Sequence, residues 1–451
     1  MEEQINKIPS AKKIDKLLGK NKLKKTQHLL ENVHPADIAD ILDQLTPDKA
    51  AIVFDLLPIA TASEVLDETG SLVRQELLET VDEEKLADLL DELPMDDAAE
   101  FLEDLDDEQA DRLIKLMEPE DRAEVKELLS YEEESAGRLM TRDVAALRRS
   151  WTVDETLKYL RSLVDAETLH YLYVVDAEDK LIGVTPLRAL IRAPADATIE
   201  SIMREGVVAV PVTADQEELA EMVARYDYYS IPVVDDNGRF LGVVTVDDVL
   251  DIVADEATED IQRLGGSEPL DQPYFAVSAI QMVKKRIGWL FLLFIASTLT
   301  GTVISIFQEE LETVLALSLF IPLIIGTGGN AGSQTVATII RAITLDEVRL
   351  GNIFQAVRKE VSVGLLLGAT MMGIGFVRAI TWDTGMDIAI VVGITLSAVV
   401  LWATMVATVV PILADRFKID PTVISGPMIT TVVDATGLLI YFSLAKVILG
   451  L

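Results

Sequence analysis

The rhythm of apolar and polar positions changes as this chain is read from its start to its end. From about Glu31 to Tyr131, apolar residues recur at i, i+3 and i+4 in short runs. The runs are broken at His34–Pro35, Thr46–Pro47, Leu57–Pro58, Leu93–Pro94 and Glu118–Pro119. A proline or an Asp after a short break starts a helix. The segments "HPADIADILDQL", "DEEKLADLLDELP" and "DDAAEFLEDL" share an acidic start, an apolar face and a Leu-rich end. This pattern predicts stacked helix pairs, an all-α solenoid over 31–138.

A second rhythm follows, and it occurs twice. Leu139–Met140 opens "LMTRDVAALRRSWTVDETLKYLRS…HYLYVVDAEDKLIGVTPLRALI". Ile202–Met203 opens "IMREGVVAVPVTADQEELAEMVARYDYYSIPVVDDNGRFLGVVTVDDVLDIV". Each copy reads as strand, helix, "VVD" strand, turn, "GV" strand and closing helix, with turns at Asp179 and at Asn237–Gly238. The two βαββα halves, over 139–201 and 202–262, resemble a tandem pair of cystathionine-β-synthase (CBS) domains. A connecting helix is expected over 263–286, with helical periodicity across Ala276–Ile287 bounded by Gly265–Gly266 and Pro269.

From 287 to 451 the chain is nearly all apolar. Runs near Ile287–Phe307, Val314–Ala342, Val357–Ile380, Ile388–Leu413 and Val423–Leu449 each exceed the ~20 residues that cross a bilayer core. Lys284, Lys285 and Arg286 precede the first; Arg341, Arg349, Arg358 and Lys359 flank the loop after the second; Arg416 and Lys418 follow the fourth. The other ends carry Glu309, Glu310 and Glu312, or Asp383 and Asp387, with Arg378 the dissenting charge. By the positive-inside rule the soluble half is cytosolic and the C-terminus lies outside, in a plasma or inner membrane. No apolar run opens the chain, so no cleavable signal peptide is expected.

Charge sharpens the picture. Of a formal net −36, most sits between Glu31 and Arg138, where 34 acidic residues face 8 basic ones, a net of −26. Such an excess disfavours nucleic acid as a partner and repels itself in a compact fold unless cations screen it. The first 25 residues carry eight lysines, which reads as a flexible or membrane-surface tail over 1–30. There is no cysteine and only three histidines, which excludes thiolate sites and offers no zinc cluster. No P-loop, GxSxG or metal-hydrolase motif is present, so no enzyme activity is expected.

Asp434 is the only acidic residue in the last apolar run. A carboxylate within a span is costly unless it faces protein, water or a cation. Pro427, Thr430, Thr431 and Asp434 recur at three to four residues and so share a helical face. Pro427 is expected to weaken the inner end of that helix. The second run contains "GTGGNAGSQ", Gly326–Gln334, too polar for a lipid-facing helix. Its glycines suit close helix packing as well as a pore wall. An acidic ring, doubled by symmetry, suits a divalent ion that keeps its water, as Mg²⁺ does.

In order and combination these elements resemble the MgtE family of magnesium channels over nearly the full chain. The acidic helical domain, the CBS pair, "ATEDI" (Ala257–Ile261), "GTGGNAGSQ" and "DATGLLIY" (Asp434–Tyr441) carry the resemblance. It implies a homodimer joined through membrane and CBS domains, with Asp434 binding hydrated Mg²⁺ on the twofold axis. Gly328, Asn330, Gly426, Pro427, Thr430 and Thr431 would line the path. It further implies a pore closed by cytosolic Mg²⁺ at Glu64, Asp96, Glu100, Asp215, Glu217, Asp227, Asp248, Asp251, Glu256 and Glu259, with Asp420 a candidate at the inner mouth. ATP bound without hydrolysis, near Arg188 and Tyr228, is allowed by the family. Glu100 stands where an Asp is expected, and Gly426 where a polar side chain is. The competing readings are a secondary transporter exchanging a divalent ion against H⁺ or Na⁺, and a non-conducting metal sensor. Co²⁺, Mn²⁺ or Ni²⁺ could share an oxygen-lined path.

Overall fold

The computed structural model describes residues 8–103, 105–163, 168–270, 274, 277–345 and 347–451. The chain divides into two compact units, Met1–Glu256 and Ala257–Leu451.

Among the described residues the first unit opens with ten helices: α1 (Ala11–Leu18), α2 (Leu23–Leu30), α3 (Pro35–Asp43), α4 (Pro47–Phe54), α5 (Ile59–Asp67), α6 (Ser71–Thr80), α7 (Glu83–Leu90), α8 (Met95–Glu103), α9 (Asp107–Leu116) and α10 (Pro119–Leu128). Their starts follow the sequence breaks, because proline in a first turn forfeits no hydrogen bond: it occupies the first turn of α3, α4 and α10. From α3 onward helices pack on those two places further along: α3 on α5, α4 on α6, α5 on α7, α7 on α9 and α8 on α10. That is the solenoid stacking expected. The start differs from expectation. Residues 1–7 lie outside the described part, but the rest of the basic segment is no loose tail. Its α1 and α2 bury Ala11, Ile14, Thr26 and Leu30 in the unit's main core, because their apolar residues fall on one face.

Next come β1 (Val144–Arg148), α11 (Val153–Leu160), β2 (Thr168–Val175), β3 (Leu181–Pro186), α12 (Leu187–Arg192) and α13 (Ile199–Ile202). The second copy supplies β4 (Val210–Pro211), α14 (Gln216–Tyr226), β5 (Ser230–Val234), β6 (Phe240–Thr245) and α15 (Val246–Leu264). Both sheets have the order parallel then antiparallel, β1-β2-β3 and β4-β5-β6. The copies exchange their lead-in segments: Thr141 bridges Val243 of the second sheet, and Arg204 bridges Val184 of the first. The two "GV" glycines permit this. A Cβ on Gly242 would lie 2.3 Å from the Thr141 carbonyl oxygen, and one on Gly183 3.0 Å from that of Arg204. Tyr173 completes the junction, its hydroxyl 2.9 Å from Ser230 Oγ and its ring stacked on Phe240. The helical domain and the second CBS copy share one hydrophobic core, running from Ala11 to Ile252.

The second unit holds α16 (Ala279–Ile306), α17 (Gln308–Thr313), α18 (Ile321–Thr344), α19 (Ile353–Thr381), α20 (Met386–Arg416) and α21 (Gly426–Leu449), with 3₁₀ turns at Leu315–Phe320, Leu350–Asn352 and Pro421–Val423. Five of its helical stretches are long and apolar enough to cross a membrane. α18 packs on α20 and α21, α19 on α20, and α16 on α21.

Two local expectations are corrected. The helix leaving the second CBS copy runs without a break through Leu264, and 279–286 belongs to the start of α16, so among the described residues no separate helix occupies 263–286. Gly265 and Gly266, the latter at φ +74°, end it, and Ser278 starts the next helix with a capping box to Gln281. Ala276, the proposed start of periodicity, lies outside the described residues. In the second and fifth spans the regular α-helix starts later than the apolar run, each behind a 3₁₀ turn. Pro427 begins α21 rather than weakening it, since it sits in the first turn.

Gly242→Ala should lower the unfolding free energy of the first unit by about 1–3 kcal/mol, the usual effect of overpacking. Gly19→Ala, at φ −60° with only an ordinary 3.5 Å contact ahead of it, should be near neutral. Thermal unfolding of the two variants beside the wild type checks this.

Candidate functional site

Two acids of the solenoid meet a third from the second CBS copy at one point of the first unit. Asp96 and Asp97, in the first turn of α8, meet Asp248, in the first turn of α15. The three bring carboxylate oxygens within 4.8 Å of one another. Asp96 is only 7% exposed, while Asp97 and Asp248 are half-buried. Asp248 accepts a hydrogen bond from Thr245 N at 3.1 Å, which sets its rotamer. Burial pushes the Asp248 carboxyl above the ordinary carboxylate range, aided by Asp247 and opposed by the Thr245 hydrogen bonds. Asp67, at the end of α5, is likewise raised by burial against the pull of Arg74, with Glu68, Asp251 and Asp248 adding to the rise. Asp251, one turn beyond Asp248, is raised by burial, then by Asp255 and Asp247. Hard oxygen donors from two elements, close together and partly desolvated, fit a divalent cation.

The structure brings only some of the nominated residues here. Glu64 and Glu100 are exposed on α5 and α8. Asp215 caps α14, accepting from Glu217 N at 2.9 Å, and next to it Gln216 donates to Glu256. That gathers Asp215, Glu217 and Glu256 at a second acidic edge. Asp227 ends α14 in the left-handed region at φ 55°. Arg188 is exposed on α12, and Tyr228 stacks on Tyr226 at 5.4 Å; no hydrogen bond or ring contact joins Arg188 to Tyr228 among the described residues. Asp97 and Asp67 were missed by sequence reading. Asp97 is Asp96's direct neighbour and faces the same carboxylate, which only the packing of α8 on α15 reveals.

In the second unit the Gly-rich helix α18 approaches α21 closely. A Cβ on Gly329 would lie 2.7 Å from Thr430 Cγ2, one on Gly332 2.9 Å from Ile429 Cγ2, and one on Gly328 2.6 Å from Val399 and 2.9 Å from Val433. Gly328 and Thr430 are therefore occupied in helix packing, and Thr430 Oγ1 lies 3.1 Å from Ser333 Oγ. Thr431 donates to the Pro427 carbonyl at 2.9 Å. Asn330 and Pro427 are exposed. At Gly426 a Cβ would meet Ser333 Oγ at 3.5 Å, ordinary contact, so packing alone does not demand a glycine there. One turn past Thr430, Asp434 is half-buried, and its Oδ1 is buried with no hydrogen-bond partner among the described residues. Asp420 caps the 3₁₀ turn before α21, accepting from Thr422 N at 2.8 Å, and pairs with Arg263.

A family model described as "Divalent cation transporter" (MgtE) matches residues 321–444, the MgtE intracellular N domain matches 33–134, and CBS domains match 136–196 and 199–255. The magnesium transporter MgtE of Thermus thermophilus is 40% identical over 100% of this chain and 99% of its own length. That of Bacillus subtilis is 32% identical over 92% and 95%. A crystal structure of the cytosolic domain of the Mg²⁺ channel MgtE in complex with ATP is 41% identical, with a TM-score of 0.52, over 54% of this chain and 99% of that one.

An acid with a raised folded-state pKa favours the folded form below its unfolded value, near about 3.9 for Asp. That contribution is lost as pH rises through the raised value. In chelator, the thermal midpoint should therefore fall as pH climbs through the raised values of Asp67, Asp248 and Asp251. Mg²⁺ should restore it, by about 2.7 kcal/mol at a hundred times its Kd. Asp97→Asn with Asp248→Asn should flatten both the pH and the Mg²⁺ responses in calorimetry.

Proposed function

The chain belongs to the MgtE family of divalent cation transporters, and on that premise we propose that it is a Mg²⁺ channel closed by Mg²⁺ on its cytosolic side. The observation that carries this reading is Asp434. It is a carboxylate in a membrane-length helix, with one oxygen buried and unpartnered among the described residues. Such a group is retained in a span where it meets water or a cation. A homodimer would place two such carboxylates on a common axis, where Mg²⁺, which dehydrates reluctantly, passes with waters attached. Asn330, Pro427 and Thr431 line the path beside it. Gly328 and Thr430 hold α18 against α21, and Gly426 leaves the inner end narrowly lined. α16, whose Leu290, Phe291, Leu292 and Phe294 are exposed, meets lipid and the second copy.

The positive charges at the span ends support a cytosolic first unit and a C-terminus outside. Arg378, the dissenting charge, lies 4.3 Å over the Trp382 ring, where an aromatic face offsets it. The inside-negative potential then draws Mg²⁺ inward, worth about 2.3 kcal/mol per charge per 100 mV, and no hydrolysis is needed. As cytosolic Mg²⁺ rises it bridges Asp96, Asp97 and Asp248 and the acidic edge of Asp215, Glu217 and Glu256, and Glu64, Glu100, Asp227 and Asp251 are further candidate ligands. Several weak sites that all favour the closed arrangement make closure steep. ATP, seen with a relative's cytosolic domain, would meet Arg188 and Tyr228 here and act as a ligand only.

Mg²⁺ influx into liposomes holding the full chain, with inner Mg²⁺ kept low, tests the reading. The wild type should conduct, and Asp434→Asn should fall to the rate of empty liposomes. Unchanged influx in Asp434→Asn would assign the carboxylate a structural role, and no influx in either would favour a non-conducting sensor.

A further inference from the structure

Two carboxylates nominated as cation ligands are already joined by a side chain of the protein. Arg263, in the last turn of α15, pairs through Nη2 with Glu259 one turn earlier and through Nη1 with Asp420. Asp420 in turn holds the turn before α21, accepting from Thr422 N at 2.8 Å and from Thr422 Oγ1 at 2.6 Å. The backbone beyond Arg263 lies on the same spot. A Cβ on Gly266 would be 3.4 Å from Pro427 Cγ and 3.5 Å from Ser425 Oγ, and one on Gly426 would be 3.8 Å from the Leu264 carbonyl oxygen. The end of α15 therefore sits against the first turn of α21, seven residues before Asp434.

Resting on the reading above, we propose that the Arg263 guanidinium takes the place of a divalent cation between Glu259 and Asp420 and so sets the Mg²⁺ concentration at which the channel closes. A guanidinium presents a planar fork of donors that satisfies two carboxylates at once and is never deprotonated. With Arg263 present, the α15–α21 contact carries its own counter-charge and persists without bound ion. Without it, Glu259 and Asp420 face each other as like charges, and Mg²⁺ has to bridge them before the contact forms. Arg263 is thus a positioning residue. It touches no permeating ion, and it supplies in advance a contact that closure requires, so that fewer bound ions are needed to reach the closed state.

The test uses the full chain in liposomes, comparing wild type, Arg263→Gln and Arg263→Lys, with influx read as inner Mg²⁺ is raised. Arg263→Gln should keep the wild-type rate at low inner Mg²⁺ and close at a concentration at least about five-fold higher, the lower end of ordinary allosteric coupling. Arg263→Lys keeps the charge without the fork and should fall between. Because the chain has no cysteine, spin labels at Glu268→Cys and Phe417→Cys report the contact independently of transport. In chelator the wild type should show one short distance, and Arg263→Gln a longer or broadened one. Equal closing concentrations, or an unchanged distance in Arg263→Gln, would overturn the proposal. A wild type that conducts but never closes would instead overturn the gating reading on which it rests.

Discussion

A carboxylate withdrawn from water needs a counter-charge, and the fold of this chain is organised around that need. In the first unit the requirement is collective. Asp96, Asp97 and Asp248 sit close enough to repel one another, and burial raises the Asp248 and Asp67 carboxyls above their ordinary value. Protons relieve such strain at low pH; at physiological pH a divalent cation does it better, because one ion satisfies several oxygens. In the second unit the requirement falls on single residues: Asp420 is answered by Arg263, and Asp434 by no side chain among those described. One acid is neutralised by the protein and the other is left open, which is the contrast on which the proposed pathway rests.

Backbone proximity makes both arrangements possible. The "GV" glycines of the CBS copies let each lead-in segment pair with the other copy's sheet, fixing where α15 begins and hence where Asp248 points. The Gly-rich face of α18 does the same for α21, seating Thr430 against Gly329 and leaving Asp434 one turn beyond. In each case a small residue is required by what approaches it, and a candidate carboxylate lies close to the contact it permits. α15 carries both Asp248 and, near its other end, Arg263, so one helix connects the two acidic regions in sequence.

Much of this was legible before any coordinates. Prolines marked the solenoid helices, the repeated "VVD…GV" pattern marked the CBS pair, and runs of apolar residues marked the five spans. What periodicity could not convey was whether an element continues. The helix from Val246 passes through Leu264 because nothing before Gly265 stops it, whereas the sequence placed a boundary at the end of the repeat. Lysine density suggested a loose start, yet Ile14 and Leu30 are fully packed, since one apolar face suffices to dock a short helix. Asp97 escaped notice because adjacent carboxylates on a helix look alike until a partner helix selects among them. Gly328 and Thr430 read as pore wall, but their contacts are interhelical, and residue type alone does not separate the two roles.

The central claim is that the channel's own cargo closes it through the cytosolic carboxylates. The most direct measurement is Mg²⁺ influx into liposomes carrying the unmodified protein, at fixed outer Mg²⁺ and membrane potential, as Mg²⁺ on the cytosolic face is stepped upward. The account predicts rapid influx at low cytosolic-side Mg²⁺ and a steep, reversible fall as the acidic sites fill. Influx that declines only in proportion to the shrinking gradient would contradict it.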